Sequence, residues 1–164
     1  MSLYLRWGGA ILLIVAALYI SREYEKYLGR RISEYRGLCS MIAHVEEMIS
    51  KYLAHGDGLW RDFRCDALEK CGFLPAVREG KGLYSALESC SDKMSLSREA
   101  KERLSQSFKK LGRGYMDGEL DNLSLLKDNL AEECERESIA AEKNIKVARA
   151  LLLGGALTLV IMAI

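Results

Sequence analysis

The side chains best suited to chemistry in this sequence are those of five cysteines and two histidines. No two cysteines form a C-x-x-C pair, and His44 and His55 match no metal-ligand spacing, so no zinc site is predicted. The number of cysteines is odd and most of them fall on apolar stripes, which indicates reduced, buried thiols. The cysteines are Cys39, Cys65, Cys71, Cys90 and Cys134.

His44 precedes two carboxylates, Glu46 and Glu47, and the three could form a general-base site on one helix. Charged neighbours on a helix are more commonly a solvated face, and we favour that interpretation. The sequence has no G-x-x-x-x-G-K-[ST] loop, no H-E-x-x-H and no G-x-S-x-G. We therefore expect a protein that is not an enzyme, with no cofactor, metal ion or small-molecule substrate.

Charge is distributed unevenly along the 164 residues. Lys and Arg total 24 against 23 Asp and Glu, and this balance argues against a nucleic-acid-binding protein. All the carboxylates lie between Glu23 and Glu142, whereas residues 7–20 and 150–164 carry no charged side chain. This pattern excludes a freely soluble domain of average composition.

The two uncharged terminal runs predict transmembrane helices. An 18-residue helix is about 27 Å long, close to the roughly 30 Å hydrocarbon core of a bilayer. Arg6 and Arg149 flank the runs, where their long side chains can reach the interface. A pair of buried soluble helices is one alternative. A cleaved signal peptide is another, but the helical pattern continues past Ala16 and Ala17, so we favour an uncleaved anchor.

Flanking cations predict the orientation of these segments. Nine Lys and Arg residues lie on the inner flanks, between 22 and 36 and between 136 and 149, against Arg6 alone on the outer side. The positive-inside rule then places the central region in the cytoplasm. The predicted divisions are a transmembrane segment at 1–20, a cytoplasmic helical bundle at 21–146 and a second transmembrane segment at 147–164.

Apolar residues recur at helical spacing on both sides of the central region. One stripe continues from the first membrane segment to the glycines near Gly56, and the other starts after Glu119 and enters the second membrane segment. The first stripe is Leu28, Ile32, Tyr35, Cys39, Ile42, Val45, Ile49 and Leu53, and the second is Leu123, Leu126, Leu130, Cys134, Ala141, Ile145, Ala148 and Leu152. We predict an all-α fold: a membrane-anchored antiparallel helical bundle with two terminal transmembrane helices.

Shorter helices are predicted between the two long ones. They cover 59–71, 83–90 and a segment that Ser97 caps. Pro75 and the glycines that follow it predict an irregular stretch up to Gly82.

A surface for protein partners is expected on the short helices and loops far from the membrane. The candidate residues are Trp60 and Phe63, together with Arg113 and Tyr115 in the glycine-rich loop at 112–118. Ordinary core burial would also explain Trp60 and Phe63.

This order of elements resembles the stage III sporulation protein AB family over nearly the whole chain. The resemblance is carried by Tyr27-Leu28-Gly29-Arg30-Arg31-Ile32, Val45-Glu46-Glu47-Met48-Ile49, Phe108-Lys109-Lys110-Leu111-Gly112-Arg113 and the terminal LLLGGALTLVIMAI. The sequence departs from the family at Asp57-Gly58-Leu59, which replaces a Thr-Pro-Leu-like turn. It departs again at Tyr115 and Glu119, where the family tends to have Asp and Gln.

The resemblance implies a protein made in the mother cell of endospore-forming bacteria and located in the membrane around the forespore. The family is similar to the inner-membrane platform protein of type II secretion systems, which sits over a secretion-type ATPase. The implied function is a non-enzymatic platform of a secretion-like complex, with the sporulation ATPase and other membrane proteins of the same operon as partners. The alternative is a membrane-tethered coiled-coil adaptor or signalling dimer, whose long helices pair between chains.

Overall fold

The computed structural model describes residues 2–52, 60, 62–110 and 116–163, and each regular element among them is an α-helix. This confirms the all-α prediction. The helices are α1 Ser2–Tyr52, α2 Asp66–Lys70, α3 Phe73–Arg78, α4 Leu83–Cys90, α5 Arg98–Lys110 and α6 Met116–Ala163. In this part of the chain, no helix combines the length and the apolar character that crossing a membrane requires.

The chain divides into two compact units, and the division falls within both long helices. The terminal unit comprises residues 1–29 and 137–164, and the central unit comprises residues 30–136. The terminal unit thus takes in more of the chain than the two uncharged runs alone.

The central unit has a continuous apolar core to which α1 contributes heavily. Tyr35, Leu38 and Ile42 are at most 1% exposed, and Phe73 and Leu74 of α3 are fully buried. Fully burying one such side chain contributes roughly 1.5–3 kcal/mol. The unit therefore has the kind of interior that stabilises an ordinary helical domain.

In the central unit, α1 and α6 run antiparallel in a fixed register. Cys39 lies close to Cys134, and Lys127 Nζ donates to the Glu46 carboxylate at 2.6 Å. Moving seven residues forward along α1, from Cys39 to Glu46, moves the contact seven residues back along α6. The predicted antiparallel pairing of the two long helices is therefore present in this unit.

The prediction of an irregular stretch from Pro75 is wrong at its start, because Phe73–Arg78 is helical. Pro75 lies in the first turn of α3, where a backbone N–H has no intrahelical acceptor and its loss costs nothing. Gly72, with φ of 87°, separates α3 from α2. The predicted helix at 59–71 is also shorter, since its regular part after residue 61 is Asp66–Lys70.

Gly37 marks a close approach between α1 and α2. A Cβ atom there would lie 2.7 Å from Cys65 Sγ and 3.1 Å from Leu68 Cγ, whereas a Cβ atom at Gly29 would meet nothing within 4 Å. Replacing Gly by Ala in an exposed helix gains about 1 kcal/mol, while overpacking a core costs typically about 1–3 kcal/mol.

We therefore expect Gly29→Ala to raise the thermal unfolding midpoint of the full-length protein and Gly37→Ala to lower it. Circular dichroism of the helical signal measures both midpoints. Equal increases in the two variants would contradict the close packing at Gly37.

Candidate interaction surfaces

The structure places the predicted partner residues in different environments. Phe63 is 8% exposed and belongs to the core of the central unit, where its ring centroid lies 5.5 Å from that of His44. Trp60 is half-buried and packs against the same core. Arg113 and Tyr115 lie outside the described residues. Core packing therefore accounts for Phe63, and a binding role for the other three stays a prediction.

The polar groups around His44 are held in separate contacts. His44 Nε2 is buried without a hydrogen-bond partner among the described residues, and its ring faces Phe63. The Glu46 carboxylate accepts a hydrogen bond from Lys127 of α6. Within the described ranges, no three His, Cys, Asp or Glu side chains come together as a potential metal site.

A buried carboxylate fixes the segment between α4 and α5 to α1. Glu34 is 4% exposed, and one of its oxygens accepts a hydrogen bond from the Ser95 N–H at 2.7 Å. Burial raises the pKa of Glu34, although the hydrogen bonds from Ser95 and the positive charge of Lys101 oppose the shift. Glu34 was not predicted from the sequence, although it lies four residues before Leu38 on the buried face of α1.

Further hydrogen bonds hold the same segment at the start of α5. Lys101 Nζ donates to the carbonyl oxygens of Ser91 and Met94 at 2.6 and 2.8 Å. Ser97 Oγ accepts a hydrogen bond from the Ala100 N–H at 3.1 Å, which confirms the predicted cap. The path of the chain from α4 to α5 is therefore fixed by side chains from both α1 and α5.

Two clefts open beside α5 in the central unit. The larger, about 330 Å³, lies between α5 and α6 and is bordered by Lys110 and the Arg103–Glu133 ion pair. The smaller, about 270 Å³, lies between α4 and α5 and is lined by residues that include Tyr84 and Lys101. Small-molecule sites are predominantly apolar, whereas the lining of the larger cleft is more polar than apolar and mixes charges of both signs. Such surfaces suit contacts with another protein.

All five thiols are free, and Cys71 and Cys90 are buried. Burial, with a smaller contribution from Cys134, raises the pKa of Cys39 to about 11. The neighbouring Cys71 thiol, together with burial, raises the pKa of Cys90. Because the thiolate is the reactive form of cysteine, Cys39 and Cys90 are suited to packing rather than to nucleophilic chemistry.

The terminal unit exposes many large apolar side chains, and most of its buried residues are small. Ala17, Ser21, Ala141 and Ala156 are only 4–7% exposed, and Leu28 is a larger buried side chain at 6%. The large apolar side chains that lie in the uncharged runs and are at least 40% exposed include Ile11, Leu12, Leu13, Val15, Leu18, Tyr19, Ile20, Leu151, Leu157, Leu159 and Ile161. We call this second set the apolar band. Its members lie on the terminal parts of both α1 and α6.

A family model described as stage III sporulation protein AB (spore_III_AB) matches residues 76–164, which are more than half of the chain. The chain belongs to this family. It is therefore a sporulation protein. The match includes α4, α5 and α6, and with them both clefts. No curated protein and no solved structure matches the chain.

The raised pKa of Glu34 predicts how the stability of the folded protein depends on pH. A raised folded-state pKa means that the folded protein binds the proton more tightly, so this contribution to stability is full at low pH. It is lost as the pH rises from about 4 through the folded-state pKa. Glu34→Gln removes this loss, and we expect it to gain stability relative to wild type between pH 4 and pH 7 in denaturant titrations.

The control for the change in charge is Glu102→Gln, because Glu102 is exposed on α5. Glu34→Ala should be destabilised by about 1–3 kcal/mol across this range, since it leaves the Ser95 N–H without its acceptor. If the stability of Glu34→Gln equals that of wild type at every pH, this role of the buried carboxylate is contradicted.

Proposed function

We propose that this sporulation protein is a non-enzymatic membrane platform of a secretion-like complex between mother cell and forespore. The observation that carries the proposal is the terminal unit, in which many large apolar side chains are exposed and most of the buried residues are small. Monomeric soluble proteins rarely expose contiguous apolar patches larger than a few hundred Å². In lipid, helices pair through small residues, and large apolar side chains can face outward.

The two uncharged runs of the sequence are the membrane anchors in this proposal. They cover residues 7–20 and 150–164 and extend past the described residues to Ile164. The ion pair between Glu25 and Arg149 lies just outside the runs, where charged side chains avoid the cost of the hydrocarbon core. The excess of cations on the inner flanks favours a cytoplasmic location for residues 21–146 in the mother cell.

The central unit offers the surfaces that a platform needs. Partners proposed by analogy with the type II secretion platform are the sporulation ATPase and other membrane proteins of the same operon. The mixed-charge cleft between α5 and α6 supports docking of a protein, and Arg113 and Tyr115 follow Lys110 closely in the sequence. Arg and Tyr are enriched among the residues that dominate protein–protein binding energy.

The pairing of helices within one chain favours the platform over a coiled-coil signalling dimer. A dimer needs the apolar stripes of α1 and α6 to be available to a second chain. In the central unit these stripes already belong to one core, which includes Tyr35 and Ile42 of α1 and Leu126 and Leu130 of α6. The Glu46–Lys127 contact supports the same pairing within the chain.

Isolation of the tagged full-length protein from sporulating cells tests this proposal. We expect the sporulation ATPase to co-isolate with the wild-type protein. Arg113→Glu should reduce ATPase recovery at least about tenfold, because a loss of about 1.4 kcal/mol of binding energy has this effect. Quantitative mass spectrometry of the isolated complexes measures the recovery.

The matched control is Arg36→Glu, which makes the same change in charge at an exposed position of α1. It should leave ATPase recovery unchanged. Equal ATPase recovery with Arg113→Glu and Arg36→Glu would show that Arg113 does not contribute to the ATPase interface. Absence of the ATPase from the wild-type isolate would contradict the platform function.

A further inference from the structure

Charged residues cluster on the terminal unit where the apolar band ends. The band reaches Ile20 on α1 and begins again at Leu151 on α6. Directly beyond these positions the two helices carry four cations and two carboxylates, Glu23 and Glu25. We call the cations the cationic girdle, and they are Arg22, Lys26, Lys146 and Arg149.

The ion pair between Glu25 and Arg149 aligns these two positions of α1 and α6 side by side in the terminal unit. With a rise of 1.5 Å per residue, Arg22 lies about 4.5 Å from this pair toward the apolar band. Lys146 lies about 4.5 Å from it in the other direction. The girdle is therefore a layer about 9 Å deep, close to the roughly 5–8 Å headgroup layer of each leaflet. The long stems of Lys and Arg extend this reach.

The girdle keeps positive charge that the protein does not neutralise. Glu23 pairs with Lys26 at 2.7 Å, and Glu25 pairs with Arg149. Arg22 and Lys146 are exposed, and neither has an ion-pair partner in the part of the chain that the structure describes. Two unpaired cations thus remain beside the apolar band.

Two tyrosines accompany these cations. Tyr24 is 37% exposed and Tyr27 is 44% exposed, and both lie on the same stretch of α1 as Arg22. Tyrosine is enriched where a membrane protein meets the headgroups, because its ring is apolar and its hydroxyl is polar. Exposed aromatic rings, unpaired cations and the edge of an apolar band together describe a surface for lipid headgroups.

We infer that the cationic girdle binds the phosphate headgroups of anionic phospholipids through Arg22 and Lys146. This inference rests on the membrane anchoring proposed above and adds a preference among lipids. A Lys or Arg near an anionic membrane surface contributes about 1 kcal/mol, so a headgroup that contacts one of the two cations is bound about fivefold more tightly. The preference weakens with salt, since the cations are exposed and the interaction is screened.

Spin-labelled lipids in vesicles that contain the full-length protein test the inference. The measurement is the association constant of labelled phosphatidylglycerol relative to labelled phosphatidylcholine, taken from the motionally restricted fraction of the spectrum. We expect the wild-type protein to prefer phosphatidylglycerol about fivefold at low salt and less at high salt. No preference for phosphatidylglycerol in the wild-type protein would overturn the inference.

The decisive variant is Arg22→Gln with Lys146→Gln, which should abolish the preference. The matched control is Lys70→Gln with Lys93→Gln, which removes two exposed cations from the central unit and should keep the preference. A preference that survives in the Arg22 and Lys146 variant, or disappears in the control, would overturn the assignment. Failure of membrane anchoring gives a different result, because no motionally restricted lipid of either kind would then be seen.

Discussion

The apolar band of the terminal unit is the physical constraint on which the proposed membrane-anchored function depends. Each large apolar side chain kept in water forgoes roughly 1.5–3 kcal/mol of burial, and many of them are exposed along two helices. The exposed ion pairs of the same unit contribute about 0–1 kcal/mol each and cannot offset this cost. An apolar environment around the terminal unit removes the conflict, and in the function proposed above the lipid bilayer is this environment.

The central unit buries its apolar side chains in a core of its own. Its core takes side chains from all six described helices, and its buried carboxylate at Glu34 is hydrogen-bonded. Mixed-charge clefts beside α5 remain accessible. An apolar core and a mixed-charge surface suit the role proposed above, in which the central unit binds other proteins.

Sequence patterns predicted the long helices because an apolar stripe at helical spacing is a strong signal over many residues. They located Tyr35, Ile42 and Leu126 in the core but missed Leu38, which lies beside the predicted stripe on the same buried face of α1. A single predicted stripe underestimates how much of a helix is buried when several neighbouring elements cover it. The helical turn at Pro75 was missed because proline in a first turn and proline in a loop look alike in one sequence.

The candidate sites were harder to predict because they depend on contacts distant in sequence. Glu34 and Ser95 are 61 residues apart, and no local pattern joins them. Phe63 was a candidate for partner binding as an aromatic residue near a loop, but the core of the central unit surrounds it. The family resemblance supplied the biological process, which composition and spacing do not encode.

Photolabelling from within the lipid phase tests the central claim most directly. A carbene precursor confined to the bilayer, activated in native membranes and mapped by mass spectrometry, reports which side chains face lipid. A terminal unit that lies in the bilayer predicts labelling of Leu12, Leu151 and Ile161, with little at Leu125, which is 61% exposed but belongs to the central unit. Labelling of Leu125 equal to that of Leu12 and Leu151, or no labelling at these two, would contradict a terminal unit embedded in lipid.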